Sequence, residues 1–578
     1  MNFYLNFKKT LNLLEDKEKT KFVILSFFTL FITLFELISL GSIPIYISII
    51  FDPSLLSNYL IEFNLDEFAL FVALDNFIYY ASFFLVFAFL IKNIFIASFH
   101  FLNIKFINDL VVRIGNQIYH NNLHSDYLNH INRSTAELIR NHVEVRRFAG
   151  LVGHYQRILL EGILLLFILI ITLKLFFEIT ILFFVLFFSF FLIYFFTIKK
   201  WANTAGKKIQ KYRKIENILI DNSFSGIKEI KFNLKEKYFY HLFNTNYFKL
   251  NRNILLQNLV AKVPKISLEM LAVILITFIS IYFFTSNETS ASKITNLSFF
   301  SVVAIRLIPA FNAISVAISS IKYTEPSIDI IEKDLKNITY HSVKNKKNEI
   351  IKYYQKKLKH IKFENVSFEY DQDGGAIFHD LNFEINENDK IGFSGKSGSG
   401  KTTLVNLLTG LISPTKGNVF FNDVNIHNKT SMFYNKISYV TQDPILFNDT
   451  IQNNITFNND KIDKIKLNKI LEICRLDDFI KNTPLGLNAT VGEKGLKISG
   501  GQIQRIGIAR ALYKDFDILI LDEATSALSK EYEKNILDTI FRLYSDKIII
   551  IISHNTNNFN YCKKILDIKE HHVDIREL

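Results

Sequence analysis

Six long apolar stretches dominate the first 325 residues of this 578-residue chain. A helix needs about 20 apolar residues to cross the hydrocarbon core of a bilayer, and each stretch meets that length. Charged residues still make up 21% of the whole chain, so a soluble part is expected beside the membrane part. The first stretch is too long for a signal-peptide core and no small-residue cleavage site follows it, which indicates an uncleaved span. The six stretches lie at about 22–50, 77–102, 158–177, 178–198, 264–285 and 293–321.

The distribution of Lys and Arg gives the orientation of these spans. The segment 52–76 contains acidic residues but no Lys or Arg, which places it outside, with a short surface helix expected near 55–61. The polar segments at about 103–155 and 199–262 are rich in Lys and Arg, which places them inside. Both chain ends therefore lie in the cytoplasm, and residues 1–21 are expected to form an amphipathic helix on the inner membrane surface.

The two basic segments keep helical periodicity well beyond the bilayer. We therefore expect their turning points, near Ser125–His130 and near Ile220–Lys228, to lie far into the cytoplasm, within reach of a soluble domain. Ordinary solvated loops are the alternative interpretation.

The net charge of +12 does not indicate a nucleic-acid partner, because the basic residues lie mostly beside the apolar spans and outside any recognisable nucleic-acid-binding motif. The two cysteines, Cys474 and Cys562, have no metal-ligand spacing and imply no disulfide framework, which fits a reduced cytoplasmic setting. The chain is thus divided into a helical membrane domain at 1–325, a polar linker at 326–358 and a soluble domain at 359–578.

A Gly-rich loop identifies the chemistry of the soluble domain. It fits the pattern G-x-x-x-x-G-K-[ST] at every constrained position, after a strand-like run and before a helical one. Its backbone N–H groups and the helix N-terminus are suited to bind phosphate, with Lys401 reaching the outer phosphates and Thr402 binding Mg²⁺. A simple turn before a helix is the alternative. The candidate nucleotide-binding residues are Gly395, Lys396, Ser397, Gly398, Ser399, Gly400, Lys401, Thr402 and Thr403.

Two further segments of the soluble domain carry candidate site residues. The apolar run 517–523 predicts a strand that ends in Asp522, a candidate magnesium ligand, and Glu523, a candidate general base. Acidic residues that cap the next helix are the alternative for this pair. Ser499–Gln502 is a Gly-rich turn that opens a helix and is suited to a second phosphate. Because one ATP already has a phosphate loop, this second binder indicates the nucleotide of another subunit.

These motifs resemble those of the ATP-binding cassette (ABC) transporters, in the order found in that family. Gly395–Thr402 resembles Walker A, Ile518–Asp522 resembles Walker B, and Ser499, Gly500, Gly501 and Gln502 resemble the signature motif. The resemblance implies a six-helix exporter membrane domain of type I followed by an α/β P-loop nucleotide-binding domain, with ATP and Mg²⁺ as cofactors. It also implies a half-transporter that forms a homodimer in the cytoplasmic (inner) membrane of a bacterium, with its ATPase domain in the cytoplasm.

The same resemblance assigns further roles by motif position. Tyr370 corresponds to the aromatic residue that stacks on adenine, and Gln442 to the glutamine of the Q-loop, which contacts the metal. Glu523 corresponds to the catalytic glutamate and His554 to the switch histidine that contacts the γ-phosphate. Residues 490–495 resemble a segment that touches the inner turns of the membrane domain in exporters.

Three positions depart from the family pattern. Ile498 replaces the usual leucine before the signature, Ser529 replaces an aspartate, and Asn555 replaces the arginine that often follows the histidine. The change at Ser529 puts the cross-dimer hydrogen bonds of its loop in doubt. Because Lys401, Asp522, Glu523 and His554 are all present, both composite sites of a homodimer are expected to hydrolyse ATP.

Charged residues inside the spans point to the path of a substrate, because such residues are costly in a bilayer. Snorkelling to the membrane face is the alternative, favoured for Glu161 and in part for Lys265. The candidates that line a cavity are Lys92, Lys265 and Arg306, together with the acidic residues Glu36, Glu161 and Glu269.

The membrane half also resembles, more weakly, the bacterial lipid-linked oligosaccharide flippases, through 263–269 and 306–312. Ala313 stands where that group suggests another arginine. The resemblance implies that basic residues engage a polyprenyl pyrophosphate, so the first hypothesis is flipping of a polyprenyl-pyrophosphate-linked oligosaccharide, an amphiphilic anion, out of the membrane lipids. The alternatives are export of another lipid, a drug-like amphiphile or a peptide, and an ATP-dependent membrane regulator that moves nothing. Intact Glu523 and His554 argue against the last.

Overall fold

The computed structural model of the chain describes residues 2–51, 77–285, 289–336, 357–370, 375–426, 433–457, 461–491, 498–569 and 571–577. The expected outer loop at 52–76, with its surface helix, lies outside the described residues, as do most of the linker and residues 492–497. The chain forms two compact units. One consists of Met1–His124 with Ser134–Thr339, and the other of Ser125–Arg133 with Tyr340–Leu578.

The first unit is helical, and six of its described helices are 36 to 50 residues long. At 1.5 Å per residue these helices measure about 54 to 75 Å, roughly twice the thickness of a bilayer core. The apolar spans therefore continue as helices into polar sequence, as the periodicity predicts. The helices are α1 (Asn2–Asn12), α2 (Asp16–Phe51), α3 (Phe77–His124), α5 (Thr135–Leu175), α6 (Phe177–Ser225), α7 (Ile227–Phe232), α8 (Glu236–Thr285) and α9 (Ser290–Lys336).

Among the described residues, five helices are long and apolar enough to cross a membrane: α2, α3, α5, α8 and α9. The predicted span at 178–198 falls within α6, whose side chains are described only in part. The tight turn predicted between the third and fourth spans is a single residue, Phe176, between α5 and α6. Thr180 closes this turn because its hydroxyl donates to the carbonyl oxygen of Thr172 at 2.8 Å.

Two apolar clusters hold the first unit together. One cluster joins α2, α3, α5 and α9 around Leu110 and Phe148, which are fully buried. The other joins α5, α8 and α9 around Leu164 and Leu307. Helix α9 continues to Lys336, past residue 326, where the sequence analysis places the start of the linker.

The second unit contains two sheets and the short helix α4 (Tyr127–Ile131). An antiparallel sheet has the order β2-β1-β4-β5, and a six-stranded sheet has the order β10-β9-β3-β8-β7-β6. Strands β9, β3, β8, β7 and β6 run parallel, and β10 is antiparallel to β9. The strands are β1 (His360–Phe368), β2 (Phe378–Asn386), β3 (Lys390–Ser394), β4 (Lys416–Phe421), β5 (Val424–Asn425), β6 (Ile437–Val440), β7 (Ile518–Asp522), β8 (Ile548–Ile552), β9 (Lys564–Lys569) and β10 (His572–Glu577).

Helices cover both faces of the six-stranded sheet, which explains why its central strands are continuous apolar runs. Ile518 and Ile520 of β7 pack into the cluster that contains α10 (Lys401–Thr409), whereas Leu519 and Leu521 pack into the cluster that contains α14 (Gly500–Tyr513). Parallel pairing places the carboxyl ends of β3 and β7 at one edge of the sheet, where α/β proteins bind ligands. The remaining helices are α10 (Lys401–Thr409), α11 (Ile451–Thr456), α12 (Lys464–Ile473), α13 (Asp477–Lys481), α14 (Gly500–Tyr513) and α15 (Lys530–Leu543).

Candidate functional site

The Gly-rich loop connects β3 directly to α10, as the sequence predicts. Gly400 has a φ of +99°, and a Cβ there would lie 2.8 Å from Cζ of Phe378. A Cβ on Gly395 would lie 2.6 Å from the carbonyl oxygen of Ile568. Larger residues therefore do not fit at these two positions, and the backbone curls tightly into the first turn of α10.

Lys401 lies across this loop. Its Nζ donates to the carbonyl oxygens of Gly395 at 2.8 Å and Lys396 at 2.9 Å. The hydroxyl of Ser399 is buried and has no hydrogen-bond partner among the described residues. A buried hydroxyl without a partner is costly, so this donor is suited to an acceptor that enters the loop, such as a phosphate oxygen.

Asp522 ends β7 and is 8% exposed. Its Oδ2 accepts a hydrogen bond from the hydroxyl of Tyr439 at 2.9 Å. Burial raises the pKa of Asp522, while the Tyr439 hydrogen bond and the charge of Lys401 act in the opposite direction. The electrostatic interaction with Lys401 shows that the end of β7 and the start of α10 meet at one site.

Glu523 follows directly, with a φ of +47° in the left-handed region. Its Oε2 accepts a hydrogen bond from Nε2 of Gln442 at 2.9 Å, and its Oε1 lies 3.0 Å from Nε2 of His554. Strained backbone of this kind clusters at functional sites. The structure thus brings together Glu523, Gln442 and His554, which come from three separate segments of the chain.

The oxygen donors at this site fit Mg²⁺. The Asp522 carboxylate and the Thr402 hydroxyl are hard oxygen ligands of the kind that this ion prefers. Among the described residues, no group of three or more His, Cys, Asp or Glu side chains is arranged to hold a metal.

Tyr370 lies near the start of α10. Its hydroxyl is 3.2 Å from Oγ1 of Thr403, and its ring packs edge-on against Phe368 with 4.9 Å between centroids. The ring is 39% exposed. An exposed aromatic face beside a phosphate loop is suited to stack on a nucleobase.

The Ser499–Gln502 segment forms the N-terminus of α14 and closes a capping box. The backbone N–H of Ser499 donates to Oε1 of Gln502 at 2.9 Å, and the backbone N–H of Gln502 donates to the Ser499 hydroxyl at 3.3 Å. In the described part of the chain, these two side chains bond each other and not the Gly-rich loop. The segment therefore forms a capped helix N-terminus, and its role at the nucleotide of another subunit stays a prediction.

Sequence reasoning missed two side chains that organise the site. Tyr439 binds Asp522 and lies on β6, three residues before Gln442. Gln504 donates from Nε2 to Oγ of Ser526 at 3.0 Å and accepts at Oε1 from the backbone N–H of Ala527 at 2.8 Å. Each of these two residues lies close in sequence to a recognised motif, and this proximity was the signal that could have identified them.

The departure at Ser529 has a local explanation. Ser529 is the N-cap of α15, and its hydroxyl accepts the backbone N–H of Tyr532 at 3.5 Å. An aspartate at this position forms the same cap, since serine and aspartate rank together as N-cap residues. The substitution therefore keeps the start of α15 intact.

Three charged residues of the membrane domain form one buried cluster. Nε of Arg306 donates to Oε1 of Glu36 at 2.5 Å, and Nη2 donates to Oε2 of Glu161 at 3.0 Å. The side chains are 16%, 7% and 9% exposed, respectively. Snorkelling is thus the wrong interpretation for Glu161, because its carboxylate is buried against a guanidinium.

The two lysine candidates differ in their surroundings. Lys92 interacts electrostatically with Glu36 and Arg306, and its Nζ lies 4.4 Å from the ring centroid of Phe89. The side chain of Lys265 is 63% exposed and lies 3.8 Å from Oε1 of Glu269. The structure therefore associates Lys92 with Arg306 and leaves Lys265 on the surface of the chain.

Comparisons with known proteins agree with this architecture. Residues 378–526 match the ABC transporter family model. The chain is 37% identical over 210 residues to an ATP-dependent lipid A-core flippase of Ralstonia nicotianae, and the match covers 36% of each chain. The corresponding flippase of Wigglesworthia glossinidia brevipalpis is 40% identical over 208 residues, again 36% of each chain. A Staphylococcus aureus protein named for multidrug export is 36% identical over 214 residues, or 37% of each chain.

These matches span about a third of the length of the curated relatives and fall in the nucleotide-binding domain. The whole fold is similar to that of a bacterial Atm1-family ABC exporter with ATP bound, with a TM-score of 0.76. That likeness covers 97% of this chain and 95% of the other at 19% identity. The fold class predicted from the sequence, a helical membrane domain followed by an α/β ABC domain, is confirmed.

Proposed function

We propose that the protein is an ATP-driven exporter that works as a homodimer in the cytoplasmic membrane, with its ABC domain in the cytoplasm. The observation that carries the proposal is the convergence of Lys401, Asp522, Glu523 and His554 at one edge of the sheet. A membrane domain of long helices in the same chain provides the part that such an ATPase drives.

Each site residue has a role in ATP hydrolysis. Lys401 exchanges its backbone carbonyl partners for the outer phosphate oxygens, and Tyr370 stacks on adenine. Thr402, Asp522 and Gln442 would hold Mg²⁺, directly or through water, and the bound ion would supply positive charge against the charge that develops on the phosphates. Glu523 orients and deprotonates the attacking water, and His554 contacts the γ-phosphate.

The partner subunit completes each nucleotide site. The α14 N-terminus carries backbone N–H groups and a helix dipole suited to phosphate, yet its described bonds do not reach the Gly-rich loop of its own chain. In a homodimer, Ser499–Gln502 of one subunit serves the ATP held by the other. Ser499→Arg is therefore expected to abolish hydrolysis while each subunit still binds ATP.

For the substrate, we propose an amphiphilic anion, in the first place a polyprenyl-pyrophosphate-linked oligosaccharide. Lys92 lies within the membrane domain beside the Glu36–Arg306–Glu161 cluster, and a charge-assisted hydrogen bond from a lysine to a pyrophosphate is strong in such surroundings. Two relatives are named for flipping a lipid, lipid A-core, which supports this class of substrate. Export of another lipid, a drug-like amphiphile or a peptide is the second candidate, supported by the relative named for multidrug export.

The first experiment is an ATPase measurement on purified protein in lipid nanodiscs, with and without a polyprenyl-pyrophosphate oligosaccharide. We expect the lipid to stimulate hydrolysis, and we expect no activity in a Glu523→Gln control. ATPase activity that does not change when this lipid is added would be consistent with an exporter but would contradict the proposed substrate. No hydrolysis under any condition would favour the membrane regulator.

The second experiment tests Lys92 by a flipping assay in vesicles. Lys92→Ala is expected to abolish flipping and leave basal ATPase near normal, because Lys92 is far in sequence from every ATP-site residue. Lys105→Ala, an exposed lysine on the same helix, is the matched control and should transport normally. Normal transport by Lys92→Ala would contradict the role of this lysine.

A further inference from the structure

Tyr439 joins the edge strand of the sheet to the end of its neighbour. Strand β6 is the outermost strand and pairs in parallel with β7, which places Tyr439 opposite Ile520. The tyrosine hydroxyl donates to Oδ2 of Asp522 at 2.9 Å. Three residues further on, Gln442 donates to Glu523, so one segment supplies a donor to each of the two adjacent carboxylates.

We propose that Tyr439 is a positioning residue that holds the Asp522 carboxylate for the divalent cation. This inference rests on the proposed ATPase function and adds a residue to it. A hydrogen bond to Oδ2 fixes the orientation of the carboxylate and leaves its other lone pairs for the metal or for metal-bound water. Partners of this kind, behind a metal ligand, typically change metal affinity by 10- to 100-fold when they are lost.

The test measures metal binding without hydrolysis. Mn²⁺ binding is followed by electron paramagnetic resonance on the full-length protein in nanodiscs with a non-hydrolysable ATP analogue. Tyr439→Phe removes only the hydroxyl, and we expect it to weaken Mn²⁺ binding by about 10-fold. Binding of the same analogue without metal should be unchanged, which also shows that the fold is intact.

The matched control is Tyr561→Phe. Tyr561 also donates to a carboxylate, Oδ1 of Asp538 at 2.6 Å, but this pair lies on the exposed side of α15. We expect Mn²⁺ binding to be unchanged in this variant. Mn²⁺ binding that is unchanged in Tyr439→Phe, or weakened equally in both variants, would overturn the proposal.

Discussion

Each unit of the chain contains a pair of buried or half-buried carboxylates, and the two pairs have different partners. In the ABC domain, Asp522 and Glu523 accept hydrogen bonds from uncharged donors, Tyr439 and Gln442, and Glu523 also contacts His554. In the membrane domain, Glu36 and Glu161 share the guanidinium of Arg306. One site keeps its negative charge available for a cation, and the other pairs both carboxylates with a cation of the protein itself.

The difference follows from the surroundings of each site. At the edge of the sheet, Asp522 lies within electrostatic reach of Lys401 in the Gly-rich loop, where an incoming ion would bind, so donors that orient the carboxylates without neutralising them are sufficient. Within a bilayer an isolated carboxylate is far more costly, and the guanidinium is the partner that makes two hydrogen-bonded ion pairs from one side chain. The same residue type therefore serves a reactive role in one unit and an ion-paired role in the other.

Removing the charge of Glu523 should have the largest effect. Glu523→Gln keeps the side-chain shape but cannot accept a proton, so ATP hydrolysis is expected to fall roughly 100- to 10,000-fold, the usual contribution of a general base. Single-turnover hydrolysis measures this effect, and equilibrium binding of a fluorescent ATP analogue should remain near wild type. A Lys401→Ala variant, which should lose nucleotide binding, is the control. Hydrolysis within tenfold of wild type would show that Glu523 is not the base.

Removing Arg306 should have the next largest effect, on stability. Arg306→Ala leaves two carboxylates buried without their counterion, and such a change costs about 3–5 kcal/mol. The apparent unfolding midpoint in detergent should therefore fall sharply. The triple variant Glu36→Gln, Arg306→Met, Glu161→Gln removes all three charges and should recover most of the loss. A wild-type midpoint for Arg306→Ala would mean that the cluster is hydrated and not charge-balanced internally.

The two sites also differ in how far the sequence predicts them. Lys401, Asp522 and Glu523 belong to short contiguous motifs, in which spacing along the chain determines geometry. The partners of Arg306 are 270 and 145 residues away, so their pairing depends on helix packing that no local pattern encodes. Tyr439 lies between these cases, since it precedes a recognised motif but acts on a residue 83 positions away.

The fold shows the same contrast. Strand and helix order in the ABC domain follows from alternating apolar runs and turn residues, and the membrane helices follow from hydropathy. Hydropathy alone marks only the part of a helix that lies in lipid. The continuation of α9 through Pro326 to Lys336, and of α3 to His124, depends on packing outside the bilayer. The association of α4 with the second unit depends on tertiary contacts of Leu128.

A smaller effect is expected when the charge of Asp522 is removed. Burial raises the pKa of Asp522 in the folded protein above its value in the unfolded chain. The protonated carboxyl therefore favours folding, and this stabilisation is complete at a pH below the unfolded-state pKa of Asp522. It is lost as the pH rises through the folded-state pKa of the same group. At pH 7 the ionised carboxylate therefore destabilises the domain in the absence of metal. Asp522→Asn should raise the free energy of unfolding by about 1 kcal/mol, or the midpoint by about 2–4 °C, without nucleotide or Mg²⁺.

The pH dependence of this effect is its control. The advantage of Asp522→Asn should shrink as the pH falls toward about 4, where the wild-type carboxyl is protonated as well. Thermal unfolding at the two pH values measures it. A variant that is less stable than wild type at pH 7 would show that the carboxylate is stabilised at its site, as the membrane carboxylates are.

The smallest effect is expected for Glu36→Gln, the same acid-to-amide change made in the membrane cluster. The amide oxygen still accepts a hydrogen bond from Nε of Arg306, and the remaining Arg306–Glu161 pair is neutral. The unfolding midpoint in detergent should therefore change by no more than the equivalent of about 1 kcal/mol. A loss as large as that of Arg306→Ala would mean that both carboxylates are needed to balance the cations, with Lys92 as the second one. In that case the membrane cluster contains four charges that sum to zero, and its contrast with Asp522 and Glu523 becomes sharper.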